Sequence, residues 1–140
     1  MSGTYTDLEV WQAAMHLAED VYRITRTFPK EETYGLSIQL RRAAVSVPSN
    51  IAEGKGRSSD KELAQFLCHS RGSLFEIETQ INLARRLAYL DAQQAEAVLR
   101  NTARVGQLLN GLLRAFRPSS PAYSPGAREA VGVGFQSKKR

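Results

Sequence analysis

From Leu8 to Phe116 the apolar residues of this chain recur every three or four positions, and no stretch alternates with period two long enough for a sheet. That spacing constrains the fold most, because it gathers apolar side chains onto one face of a helix. In the first segment Leu8, Trp11, Met15, Ala18 and Tyr22 form the predicted core stripe. It opens at Thr6 or Asp7, whose side chains can cap free N–H groups, and stops before Phe28-Pro29. The second begins near Thr33 to Leu36 and sets Leu36, Leu40, Ala43, Val47 and Ile51 inward.

Pro48 interrupts this second helix, since it lacks a donor and crowds the carbonyl of Ala44. The apolar phase persists through Ile51, so the reading is a kinked continuation, closed by Glu53-Gly54-Lys55-Gly56 with a glycine in the left-handed cap conformation. Ser59-Asp60-Lys61-Glu62 has capping-box spacing and opens a third helix, expected to run to Tyr89 or Leu90. Its stripe is Leu63, Phe66, Ser70, Leu74, Ile77, Ile81, Ala84 and Ala88. Asp91 with Gln94 repeats the capping arrangement and opens a fourth helix, with Ala95, Val98, Thr102, Val105, Leu109, Leu112 and Phe116 inward. Four amphipathic helices on short connections predict an all-α, antiparallel up-down-up-down four-helix bundle over residues 1–116.

Residues 117–140 read differently. They hold three prolines, three glycines and several serines without an apolar period, and are expected to form a disordered tail. The division also splits the formal charge of +5: residues 1–116 carry 14 Lys+Arg and 13 Asp+Glu, net +1, whereas the tail carries five cations and Glu129, net +4. A single cysteine, Cys68, excludes an internal disulfide framework. No apolar run reaches the roughly 18 residues of a membrane span, and Met1 to Tyr5 lacks signal-peptide character. A cytoplasmic protein is expected.

Several helices carry a second apolar stripe. Val10, Leu17 and Ile24 repeat at seven in the first helix, and Ile38, Val45 and Ala52 do so in the second. Ala64, Cys68 and Phe75 lie off the main stripe of the third. A lone bundle needs one apolar face per helix, so Val10, Leu17, Ile24, Ile38, Val45 and Phe75 are the candidate interface of a homo-oligomer.

Catalytic constellations are absent from the sequence. His16 and His69 stand on different helices, and adjacent Cys68 and His69 point about 100° apart and form no dyad. Glu53, Glu76 and Glu78 could approach a metal, yet no Glu-x-x-His accompanies them. No catalytic residue, metal ligand or cofactor is therefore expected, and the chain reads as non-catalytic. Ser46, Ser49, Asn50 and Glu53 form a polar edge on the second helix, read as a network around Pro48. The fourth helix offers Arg100, Arg104 and Arg114, followed by Arg117, with no acid between Glu96 and Glu129. This stripe is the candidate contact for RNA or DNA phosphates; without aromatic partners it would not read bases. The alternative is an oligomeric protein-binding module with no nucleic-acid role.

The run Gln39-Leu40-Arg41-Arg42-Ala43-Ala44-Val45-Ser46-Val47-Pro48-Ser49-Asn50-Ile51-Ala52-Glu53-Gly54, preceded by Tyr34-Gly35-Leu36, resembles the signature of a bacterial four-helix bundle family. Its members are encoded in intervening sequences of large-subunit ribosomal RNA genes and elsewhere in genomes. Leu8-Glu9-Val10-Trp11 and Gly72-Ser73-Leu74-Phe75-Glu76-Ile77-Glu78-Thr79-Gln80 extend the resemblance to roughly residues 7–114. It implies an antiparallel bundle assembling as a homopentamer, and kinship with the accessory variability determinant of diversity-generating retroelements, which binds nucleic acid.

Overall fold

The computed structural model describes residues 3–116 and residue 125. Four helices follow one another: α1 (Glu9–Thr25), α2 (Leu36–Lys55), α3 (Asp60–Arg86) and α4 (Ala92–Phe116). Short 3-10 turns at Tyr5–Asp7 and Lys30–Glu32 precede α1 and α2, and no strand occurs among the described residues. Each helix packs on the next, and α4 returns to α1, closing an antiparallel ring of four. The tail read at residues 117–140, apart from residue 125, lies outside the described residues.

Local chemistry sets most of the boundaries. The Thr4 hydroxyl and Asp7 carboxylate form a capping box around the first 3-10 turn, so they do not cap α1 itself. At α3 the Ser59 hydroxyl accepts from the Glu62 amide at 3.1 Å. At α4 Asp91 accepts from the Gln94 amide at 2.7 Å, while the Gln94 side chain accepts from the Asp91 amide at 3.0 Å. Each satisfies N–H groups that a helix start leaves open.

Two helix ends depart from expectation. α3 stops at Arg86, three or four residues early, because Ala88 turns left-handed at φ 63°. Tyr89 then donates to the Ala84 carbonyl and Ala88 to that of Arg85, both at 2.9 Å, a Schellman closure with alanine where glycine is usual. At the end of α2, Gly56 keeps right-handed geometry (φ −83°). Gly54 matters for space instead: a Cβ there would meet Leu63 Cδ1 and Phe66 Cβ at 3.0 Å, so its absence lets α2 and α3 close.

The core runs the length of the ring. Leu40, Val47 and Ile51 of α2 meet Leu67, Leu74, Ile77 and Ile81 of α3, with Val98, Val105 and Leu109 from α4. Burying each such side chain stabilises by about 1.5–3 kcal/mol. α2 continues through Pro48, whose ring is buried.

α1 reverses the expected orientation. Its core face is Val10, Ala14, Leu17, Val21 and Thr25, and Leu17 is 0% exposed. Of the stripe read as core, Leu8, Trp11 and Ala18 are half-buried against the core, whereas Met15 and Tyr22 lie outward at 37% and 39% exposure. Val10 and Leu17 are thus corrected from interface to core. Ala14 and Val21 complete their stripe, and such small and β-branched side chains let α1 approach its neighbours closely. The bulkier Trp11, Met15 and Tyr22 remain at the rim. Thr25 fits the core because its hydroxyl donates to the Val21 carbonyl at 2.8 Å.

Candidate functional site

The turn of α1 leaves an apolar face open beside α2. Three hollows lie along it, and Val45, 43% exposed, lines all three. One of about 340 Å³ holds Tyr5, Trp11, Met15, Pro48 and Ala52. Another, about 500 Å³, continues past Met15 and Tyr22 to Glu19, Arg23 and Arg26. A third, about 340 Å³, contains Tyr22, Ile38, Arg41 and Arg42. The floor is apolar and the rim toward the end of α1 is cationic.

Aromatic geometry organises the face. Tyr5 meets Trp11 edge-on at 5.4 Å, which covers one side of the indole. The Arg41 guanidinium lies 4.5 Å from the Tyr22 ring centre. Its Nε donates to Thr25 Oγ1 at 2.8 Å and another nitrogen to the Tyr22 carbonyl at 3.3 Å. Arg41 is therefore fixed in place, charge outward, by one ring and two oxygens. Arg23 pairs with Asp20 at 2.7 Å, and the Asn101 amide also donates to Asp20.

The other interface candidates divide. Ile38 and Val45 border the open face, whereas Ile24 and Phe75 are half-buried against the core. Met15 and Tyr22 belong to the open face although the spacing read them as core, and Trp11 both lines that face and packs on the core. Their composition carried a usable signal, since Trp and Tyr unite an apolar body with a polar tip and suit a half-wet position.

The polar edge of α2 is partly united. Asn50 donates to the Ser46 carbonyl at 2.8 Å and its hydroxyl at 2.9 Å, and Ser73 of α3 donates to the Ser46 hydroxyl at 2.9 Å. Ser70 donates to the Val47 carbonyl at 2.8 Å. Ser49 stays exposed, and Glu53 turns away to pair with Arg57 at 2.9 Å. The network thus ties α2 to α3 through Ser70 and Ser73, which spacing within one helix does not single out.

On α4, Arg100, Arg104 and Arg114 are exposed, but Arg104 donates to Glu9 of α1 at 2.9 Å. That pairing compensates one charge of the stripe. Arg117 lies outside the described residues. Among the described residues no three His, Cys, Asp or Glu side chains group to hold a metal ion. No helix among them is long and apolar enough to cross a membrane.

At the α1–α2 corner the Glu32 carboxylate accepts from the Leu36 amide at 2.9 Å and from the Tyr89 hydroxyl at 2.8 Å. The amide, then the hydroxyl, hold the carboxyl below its ordinary range, and the same bond raises the Tyr89 phenol. Tyr89 also packs on Phe28, with ring centres 5.5 Å apart.

A crystal structure from Bacteroides thetaiotaomicron, described as a protein of unknown function from the S23 ribosomal protein family, has the same fold. It is 19% identical, with a TM-score of 0.70 over 75% of this chain and 98% of that one. No curated protein matches the chain. The model of the 23S rRNA-intervening sequence protein family matches residues 6–111, almost the whole bundle. The chain belongs to the 23S rRNA-intervening sequence protein family.

Proposed function

We propose that this chain is a non-catalytic bundle that assembles with copies of itself through the outer α1–α2 face and acts as a scaffold or accessory protein for nucleic acid. One observation carries the reading: Tyr5 of the first 3-10 turn, Met15 and Tyr22 of α1 and Val45 of α2 stand 37–43% exposed along linked hollows on one side of the bundle. Contiguous apolar surface of this kind marks a site of association or ligand binding. The sequence resemblance suggests five copies.

Sedimentation of the full chain at micromolar concentration tests the assembly. An oligomer is expected, and Val45→Asp should convert it to a folded monomer, because a charge would then lie in the middle of the joint. A wild-type monomer would refute self-association. For nucleic acid, affinity at two salt concentrations is compared between wild type and an Arg100/Arg104/Arg114 triple alanine variant; unchanged affinity eliminates the α4 stripe.

The Arg104–Glu9 ion pair favours a second reading, a protein-binding oligomeric module without nucleic acid, because it leaves α4 fewer free cations. Pull-down before and after nuclease treatment separates the two. A partner lost on nuclease treatment is bridged by nucleic acid.

A further inference from the structure

A fourth hollow, about 350 Å³, opens at the α1–α2 corner, beside the apolar face, with which it shares Arg26, Ile38 and Arg41. Its cations are Arg26, Lys30 and Arg41, its hydroxyls come from Thr25, Thr33 and Ser37, and no carboxylate lines it. Arg26 and Lys30 form no ion pair with the described residues, whereas Arg23, Arg57 and Arg104 do. The nearby Glu32 is engaged on the other side of the corner, bonded to Leu36 and Tyr89. Arg41 is held by Tyr22 and Thr25, so one cation is already ordered.

Two further residues point to a ligand. Ser37 is only 8% exposed and lines the hollow. Tyr34 stands at the mouth, 93% exposed, an extreme position for an aromatic ring. Convergent cations and hydroxyls suit a phosphate, and a bare ring beside them suits a stacked base.

We infer that this corner is a binding site for single-stranded nucleic acid, with a backbone phosphate held by Arg26, Lys30 and Arg41 and one base stacked on Tyr34. The inference rests on the nucleic-acid part of the function proposed above, but moves the contact from α4 to the corner. Stacking on one ring with phosphate capture gives a sequence-tolerant grip, and a base stacked inside a duplex has no free face to offer Tyr34.

The test uses the full chain and a fluorescent oligouridine of about 15 nucleotides, with anisotropy read at roughly 50 and 200 mM salt. Arg26→Gln with Lys30→Gln should weaken binding about tenfold or more at the lower salt and reduce the salt slope by about 1–2. Tyr34→Ala should weaken it about tenfold with the salt slope unchanged, and Tyr34→Phe should restore it, since stacking needs the ring and not the hydroxyl. All three side chains are exposed, so the variants keep the fold, which circular dichroism verifies.

Wild-type binding that these variants leave unchanged, while the α4 triple variant loses it, overturns the corner site alone. Failure of the wild-type chain to bind at the lower salt overturns both the corner site and the nucleic-acid part of the proposed function. Competition by uridine monophosphate as strong as that by the oligomer, per nucleotide, would replace a strand by a free nucleotide and overturn the strand assignment.

Discussion

α2 shows two fates for one kind of residue. Its inner side, Leu40, Val47 and Ile51, is fully buried, and Gly54 and the Ser46–Ser73 bond let α3 approach. Its outer side, Ile38, Val45 and Ala52, is equally aliphatic yet borders open hollows. Apolar character therefore does not decide which side becomes core. The inner seam differs in its small Gly54 and in the Ser70–Val47 and Ser46–Ser73 bonds that join α2 to α3.

Truncation should expose that difference most. Leu17→Ala, on the inner face of α1, is expected to cost about 2–5 kcal/mol in urea unfolding. Met15→Ala, two residues away on the outer face, should cost within about 0.5 kcal/mol when the chain is measured as a monomer. Equal losses would break the contrast.

Gly54→Ala tests the seam itself. The added methyl would press on Leu63 and Phe66 at 3.0 Å, and a loss of about 1–3 kcal/mol is expected. An unchanged midpoint would mean that the helices part without strain. A gain is expected from Ala88→Gly, because the left-handed φ of 63° strains alanine: about 1 kcal/mol of added stability in the same assay.

The smallest effect concerns pH at the corner. Because the folded Glu32 pKa is lowered, its stabilisation is present above the ordinary carboxylate range and fades as pH falls through the folded value. The Tyr89 pKa is raised, so the protonated phenol stabilises below its ordinary value and that contribution is lost as pH rises through the folded one. Thermal melts of wild type and Tyr89→Phe should differ near neutrality and converge in acid. A gap that persists when Glu32 is protonated would assign Tyr89 a packing role only.

These contrasts also show what the sequence can and cannot carry. Capping pairs at Ser59/Glu62 and Asp91/Gln94 are local and were legible, as was the four-helix ring. The end of α3 was not, since Ala88 adopts a conformation for which only glycine gives warning. Two apolar stripes on α1 were visible, but their phase relative to the bundle depends on how Ala14 and Val21 fit against other helices, which spacing does not encode. Likewise, the corner hollow joins Arg26, Lys30, Tyr34 and Ser37 from a loop and two helix ends, with no periodicity to group them.

The return of α4 onto α1 has a topological consequence. Leu8 and Val10 border the same hollow as Leu108 and Leu112, so the first and last helices begin and end at one pole of the bundle. Chain order is then separable from packing: a short linker from Phe116 to Tyr5 and a new opening between Gly56 and Ser59 would leave every helix contact in place. Such a circular permutant should fold with the helical content of the parent. One pole gathers the bundle's ends and the α2–α3 link, the other the α1–α2 corner and the α3–α4 link.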